Sequence, residues 1–185
     1  MGNLLDKYLF QALDAYPYNL EEAVESLNYA LSYDDKNPIA LCLMGQIYAE
    51  SLKNYETAKE YYQQALAEDI YALDVYPKYI NVLLWNEDYD EAEKLIDFAL
   101  TLKGTDKAVL YLQKGILFEQ KTAYKKALKV LKIAKIHTYN NYFISDIEGD
   151  EKRIKDKMPK KKNKKKKKGN KTDSSSNKSK KKKKN

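Results

Sequence analysis

Small and large apolar residues follow one another along the chain with a spacing that recurs four times. Each instance places an alanine, a larger residue four positions later and a second alanine three positions after that. This spacing puts the three side chains on one face of an α-helix, where the alanines let a neighbouring helix approach closely. The four instances are Ala23, Leu27 and Ala30; Ala58, Tyr62 and Ala65; Ala92, Ile96 and Ala99; and Ala127, Leu131 and Ala134.

The four alanine patterns start 34 or 35 residues apart. A repeat of this length indicates stacked helical hairpins rather than one globular core. The pattern therefore predicts an all-α solenoid in which each alanine pattern lies in the second helix of its hairpin. The predicted units are residues 4–33, 38–68, 74–102 and 107–137, with helices over 4–16, 20–33, 39–52, 55–68, 75–85, 89–102, 107–120 and 123–137.

Several residues mark the predicted helix ends. Asn37 precedes Pro38, and the two suit a helix N-cap and the first helical position. Asp74 is expected to cap the first helix of the third unit in the same way. Gly104 indicates the stop of one helix, and Asp106 the cap of the next.

These units resemble the tetratricopeptide repeat, a family of 34-residue helix-turn-helix units. The resemblance covers about 130 residues and implies a right-handed solenoid whose first helices line a concave groove for a partner peptide or helix. The third unit departs from the family pattern, with Ile80 where the close-packing glycine is expected, and the first unit is displaced by about one residue. The residues that match best are Pro38, Gly45, Tyr48, Ala58, Tyr62 and Ala65 in the second unit, and Gly115, Phe118, Ala127, Leu131 and Ala134 in the fourth.

Two further segments follow the repeats. Within residues 138–158, the stretch 142–158 is predicted to be an amphipathic helix, which places Phe143, Ile147 and Ile154 over the exposed apolar face of the last hairpin. Residues 159–185 consist mostly of lysine and hold no aliphatic or aromatic side chain after Pro159. Without apolar surface to offset the entropy of ordering, this tail is predicted to be disordered.

Charge divides the chain sharply, although the whole carries a formal charge of +7. Residues 1–106 have 20 acidic and 7 basic side chains, a net charge of −13. Residues 107–150 have a net charge of +4, and residues 151–185 a net charge of +16. The sequence therefore describes an acidic body with a strongly basic end.

Composition also limits the compartment. Cys42 is the only cysteine, which excludes an intrachain disulfide and suits a reducing environment. No apolar run approaches the roughly 20 residues that span a bilayer, and the first ten residues lack the pattern of a secretory signal. We therefore expect a cytoplasmic protein.

The sequence offers little for catalysis. His137 is the only histidine and closes a predicted helix, where a cation suits the helix dipole. Cys42 lies on a different hairpin, and no phosphate-binding glycine loop or paired-cysteine spacing occurs. We expect no catalytic residue, no metal site and no cofactor.

The family resemblance implies a partner-binding groove on the first helices. Its acidic surroundings favour a basic or apolar peptide. Trp85 is of most interest, since tryptophan is enriched among interface anchors, although packing between hairpins is the slightly favoured explanation. The positions carried over from the family are Ile39, Cys42, Gln46 and Glu50 in the second unit, Asn81, Leu84 and Trp85 in the third, and Leu112, Ile116 and Glu119 in the fourth.

The lysine tail predicts a second kind of contact. Lysines without arginine attract phosphate backbones or anionic lipid headgroups diffusely and without base readout. A solubilising role, a targeting address, and docking on the chain's own acidic repeats or on those of another copy remain alternatives. The polyanion-binding candidates are Lys160, Lys161, Lys162, Lys164, Lys165, Lys166, Lys167, Lys168, Lys180, Lys181, Lys182, Lys183 and Lys184.

Together these features predict a non-enzymatic adaptor whose groove holds a protein partner. The tail would add nonspecific affinity for a polyanion such as RNA, DNA or a ribosomal surface. In a second hypothesis the basic tail docks on the acidic repeats and regulates a scaffold. In a third, the tail is a nuclear or nucleolar address.

Overall fold

The computed structural model describes the backbone of residues 2–159 and the side chains of residues 7–159. Within this range the chain forms nine α-helices and no β-strand. The predicted tail from residue 160 onwards lies outside the described residues. The helices are α1 (Gly2–Ala15), α2 (Leu20–Tyr33), α3 (Pro38–Glu50), α4 (Tyr55–Glu68), α5 (Val75–Trp85), α6 (Tyr89–Ala99), α7 (Lys107–Gln120), α8 (Tyr124–Ile136) and α9 (Asn141–Lys157).

The first eight helices form four hairpins, α1–α2, α3–α4, α5–α6 and α7–α8, stacked in chain order. Every residue of the four alanine patterns is buried, and the alanines are completely so. The larger residues between them, Leu27, Tyr62, Ile96 and Leu131, are at most 1% exposed. The predicted all-α helical repeat is therefore confirmed, and its period comes from these buried second-helix faces.

Two glycines mark the closest approach of the helices within a hairpin. A Cβ atom added to Gly45 would lie 3.0 Å from the ring of Tyr62, and one added to Gly115 would lie 2.5 Å from Leu131. Each glycine thus faces the large residue of its own unit's alanine pattern. The absence of a side chain on the first helix makes room for the large side chain on the second.

Side-chain caps set several helix starts as expected. The Asn37 carboxamide oxygen accepts hydrogen bonds from the backbone N–H groups of Ile39 and Ala40. The Asp106 carboxylate does the same for Ala108 and Val109. Both caps satisfy N–H groups that have no partner inside the helix.

Asp74 occupies the N-cap position of α5, as predicted, but its side chain makes no capping hydrogen bond. Its backbone is already helical, with φ −70° and ψ −16°. The Val75 N–H donates instead to the carbonyl of Ala72 in the preceding turn. A side-chain cap requires an extended backbone at the capping residue, and this turn does not supply it.

The sixth helix is shorter than predicted, since α6 ends at Ala99 rather than at Leu102. Leu102 donates to Ala99 and Thr101 to Phe98, which are the tighter bonds of a turn. The Thr105 hydroxyl donates to the carbonyl of Ala99 and so satisfies a group that a longer helix would have used. The third helix also ends early, at Glu50 rather than at residue 52.

The last helix covers the end of the stack. Ile147 and Ile154 of α9 are completely buried and pack with Leu131 and Ala134 of α8. Phe143 contributes a partly buried ring to the same cluster. The predicted capping helix is therefore confirmed. None of the helices between residues 2 and 159 is both long and apolar enough to cross a membrane.

Candidate functional site

A concave pocket of about 750 Å³ opens between α1, α3 and α5. The turn between α4 and α5 forms one of its walls, through Asp69, Tyr71 and Asp74. We call this space the groove pocket. Its apolar lining includes Leu13, Ile39, Cys42, Leu43 and Leu73.

Helix α3 supplies the floor of the groove pocket. Ile39, Cys42 and Gln46 lie three and four positions apart and therefore share one face of the helix. The Asn37 cap and Pro38 fix where α3 starts and so set the direction of this face. Ile39 remains 55% exposed at the mouth, whereas Cys42 is buried below it.

A polar cluster closes one edge of the groove pocket. The Tyr16 hydroxyl donates to Glu50 Oε2 at 2.6 Å, and the Gln46 amide donates to both Glu50 oxygens at 3.2 Å. Burial and the Glu50 carboxylate together raise the pKa of Tyr16 to about 12. The tyrosine therefore stays protonated and ties α1 to the end of α3.

Lys78 is the cation of the groove pocket. Its ammonium lies 3.8 Å from the Cys42 sulfur, and both residues line the space. Burial raises the pKa of the Cys42 thiol, although the nearby ammonium of Lys78 opposes that shift. A protonated thiol is a poor nucleophile, so this environment does not activate Cys42.

Sequence reasoning missed Lys78. The available signal was its position three residues before Asn81, which places the two on one face of α5. Gln113 was missed as well. Its amide donates to the Pro77 carbonyl at 2.7 Å and to the Asn81 side chain at 2.8 Å, and so joins α7 to α5.

The structure places the predicted groove residues in three different settings. Ile39, Cys42 and Gln46 line the groove pocket, and Glu50 adjoins it through Gln46. Asn81 is half-buried beneath Gln113. The remaining five do not line this pocket.

Two of those five residues are closed to a partner. Leu84 is 4% exposed and belongs to the central hydrophobic core. Glu119 is 7% exposed because α9 covers it. Arg153 and Lys157 both donate to its carboxylate, at distances of 2.7 to 3.0 Å, and these contacts lower the pKa of Glu119. An occupied, covered carboxylate cannot face a groove.

The other three residues are partly accessible. Leu112 and Ile116 of α7 are half-buried against neighbouring core side chains. Trp85 is 48% exposed, and its ring is tilted against Tyr55 of α4 with 6.0 Å between the ring centres. This contact supports the packing role for Trp85. The thirteen tail lysines lie outside the described residues.

The described part of the chain offers no cluster of metal-binding side chains. Between residues 2 and 159, no group of three or more His, Cys, Asp or Glu side chains is arranged to hold a metal ion. His137 stacks on Tyr111 with 5.4 Å between the ring centres, at the C-terminal end of α8. Neither His137 nor Tyr111 lines the groove pocket.

Comparison with known proteins identifies the architecture. No family model and no curated protein matches the sequence. Among solved structures, PilF of Pseudomonas aeruginosa is similar over 82% of this chain and 71% of its own, with 20% identity and a TM-score of 0.70. MamA of Desulfovibrio magneticus RS-1, from residue 41 to its end, is similar over 84% of this chain and 92% of its own, with 18% identity and a TM-score of 0.65.

Another MamA crystal structure has a TM-score of 0.66 at 15% identity, over 84% of this chain and 88% of that one. At such low identity the likeness concerns the fold. It agrees with the period of 34 or 35 residues, the buried alanine patterns and the close-packed Gly45 and Gly115. The chain therefore has the tetratricopeptide-repeat fold that its sequence predicts.

Proposed function

We propose that this protein is a non-enzymatic adaptor that binds a segment of a partner protein in the groove pocket. The observation that carries the proposal is a concave surface with exposed apolar side chains at its mouth. Ile39 is 55% exposed, Tyr71 is 69% exposed, and Leu13 stands beside them on α1. Such contiguous apolar groups in a concavity are typical of binding sites.

The charges around the groove pocket indicate which segment it prefers. Asp69 and Asp74 line it together with Lys78, and Glu50 stands at its edge. Among the described residues, carboxylates thus outnumber the one ammonium that lines the pocket, so a basic or apolar segment is favoured over an acidic one. Lys78 is free to donate to a backbone carbonyl of the bound segment.

The surroundings of Cys42 in the groove pocket do not favour nucleophilic catalysis. The Cys42 thiol has a raised pKa, and its side-chain contact among the described residues is with the Lys78 ammonium, not with a base that accepts its proton. A nucleophile of this kind needs a partner that removes its proton. This chemistry supports a binding role rather than an enzymatic one.

Peptide selection by display against the full-length protein tests the proposal. We expect enrichment of apolar or basic peptides, and the affinity of the apolar ones should fall at least about tenfold in Ile39→Asp, which places a charge among apolar contacts. Tyr18→Asp is the matched control, because Tyr18 is 92% exposed and does not line the groove pocket. An equal loss of affinity in both variants would contradict binding at this site.

For the tail, residues 159–185, we propose nonspecific binding to polyanions such as RNA, DNA or a ribosomal surface. The lysine content of the tail supports this proposal, since residues 160–168 include eight lysines. Deleting 159–185 should abolish binding to mixed-sequence RNA whose affinity falls steeply with salt, while the helical circular dichroism of the repeats is retained. Binding that survives the deletion would refute this part of the proposal.

A second candidate function follows from the charge division. Residues 1–106 carry −13 and residues 151–185 carry +16, so the tail could occupy acidic sites such as Asp69 and Asp74 and regulate the groove pocket. On that hypothesis, deleting the tail raises peptide affinity, and high salt has the same effect. Peptide affinity that responds to neither change would eliminate it.

A further inference from the structure

Helix α8 differs in charge from the second helices of the other three hairpins. It carries five lysines and no acidic residue. Helix α2 has three glutamates and no basic residue, and acidic side chains outnumber basic ones in α4 and α6. The change occurs within the folded repeats and does not involve the lysine tail.

The packing of α8 turns most of these lysines outward. Ala127, Leu131 and Ala134 are completely buried against α7 and α9, so the opposite face is exposed to solvent. Lys135 pairs with Glu148 and Glu151 of α9. Four others are exposed and form no ion pair with any described residue. These four make up the α8 lysine face: Lys125, Lys126, Lys129 and Lys132.

Exposed apolar groups continue this face at its C-terminal end. Ile136 follows Lys132 by one helical turn and is 76% exposed. Tyr139 and Tyr142, at the turn into α9, are 100% and 87% exposed. We call these three residues the apolar tip. The stacking of His137 on Tyr111 and the Asn140 cap of α9 hold its backbone in place.

We propose that the α8 lysine face and the apolar tip together form a docking surface for an anionic phospholipid membrane. Lysine ammonium groups attract the negative headgroups. An exposed isoleucine and two exposed tyrosines within seven positions of the chain suit the boundary between headgroups and acyl chains, where amphipathic tyrosine rings are enriched. The protein would thus lie on the membrane surface by one end of its repeat stack.

The apolar tip favours a membrane over a nucleic acid. A phosphate backbone attracts the lysines equally well, but it offers nothing to the exposed Ile136 side chain. The α8 lysine face also contains no arginine, whose planar group reads bases and stacks on them. Lipid headgroups and acyl chains account for both parts of the surface.

Vesicle binding by the full 185-residue chain tests the charge requirement. Phosphatidylcholine vesicles are compared with vesicles that also contain phosphatidylserine. Each lysine near an anionic membrane strengthens binding about fivefold, so Lys125→Glu/Lys129→Glu/Lys132→Glu should weaken it about a hundredfold or more. The control, Lys7→Glu/Lys94→Glu/Lys103→Glu, changes net charge equally at exposed positions elsewhere, and its binding should fall far less. Both variants retain the tail.

Quenching by brominated lipids tests the apolar contact independently of the lysine tail. Tyr139→Trp and Tyr18→Trp are each made in a Trp85→Phe background. Each variant then contains a single tryptophan, near one end of the fold in the first and near the other end in the second. We expect brominated acyl chains to quench tryptophan at position 139 but not at position 18. Circular dichroism establishes that each variant retains its helices.

Several outcomes would overturn the proposal. Equal losses in the two lysine variants would show that net charge, or the tail, governs binding. Equal quenching at positions 139 and 18, or none at either, would exclude insertion of the apolar tip. A variant of the α8 lysine face that loses affinity for RNA but keeps its affinity for phosphatidylserine vesicles would assign the surface to nucleic acid instead.

Discussion

Three glycines inside helices offer a graded test of how tightly the hairpins pack. Each is changed to alanine. An added Cβ would meet nothing within 4 Å at Gly149, would lie 3.0 to 3.1 Å from the Tyr62 ring at Gly45, and would lie 2.5 and 2.8 Å from two carbons of Leu131 at Gly115. The same substitution therefore meets open space, a tight contact and a clash.

The expected free energies follow from two opposing terms. Alanine stabilises a helix interior by about 1 kcal/mol relative to glycine, and Gly149→Ala should gain this in full. An overpacked core costs about 1–3 kcal/mol, so Gly115→Ala should lose up to about 2 kcal/mol on balance. At Gly45 the ring must shift by only a few tenths of an ångström, and the two terms should nearly cancel.

Urea unfolding followed by far-ultraviolet circular dichroism measures all three variants. With a urea dependence of about 2 kcal/mol per molar, each kcal/mol moves the midpoint by about 0.5 M. Gly149→Ala should have the highest midpoint urea concentration and Gly115→Ala the lowest. Gly45→Ala and the unchanged protein should lie together between them. If the variants differed in the urea dependence of their free energy of unfolding, the stacked units would be unfolding separately.

A double mutant isolates the clash. Leu131→Ala alone removes a completely buried side chain and should cost about 2–5 kcal/mol. In the Leu131→Ala background the space opposite Gly115 is vacant, so Gly115→Ala should become neutral or stabilising. A Gly115→Ala protein as stable as the original, or an equal penalty in both backgrounds, would refute the close-packing argument.

Three further predictions concern other contacts. Glu119→Gln should reduce the free energy of unfolding by about 2 kcal/mol at neutral pH, because a charge-assisted hydrogen bond from Arg153 is weakened. Since that contact lowers the pKa of Glu119, the loss should vanish as pH falls through the lowered pKa, as urea unfolding across acid pH will show. Trp85→Ala should cost about 1–2 kcal/mol by removing the contact with Tyr55, yet leave the affinity of selected peptides unchanged by calorimetry. Cys42 should react with iodoacetamide more slowly than free cysteine, and urea should restore the ordinary rate.

The sequence predicted the repeat because the repeat depends on local spacing. An alanine, a large residue and a second alanine on one helical face become buried together, and this does not depend on the sequence of the partner helix. Local capping chemistry likewise predicted the starts of α3 and α7 at Asn37 and Asp106. At Asp74 it predicted the N-cap position of α5 but not the absence of a capping hydrogen bond, because the preceding turn determines the backbone conformation.

The candidate site was harder to predict because its contacts join distant residues. Lys78 reaches Cys42 across 36 positions, and Arg153 reaches Glu119 across 34. Family position alone could not show that α9 closes Glu119, since the cap lies outside the repeat pattern. Periodicity shows which faces stack, but not which long side chains reach from one helix to the next.

The position of α9 limits the row that the first helices of the hairpins form. It packs where a fifth hairpin would otherwise stack, so the row of first helices stops at α7. Four helices at spacings of 8–10 Å make a row about 27 Å wide, which an extended chain crosses in about eight residues. On the proposed function, a partner segment longer than about eight residues would extend beyond these four helices and contact something else.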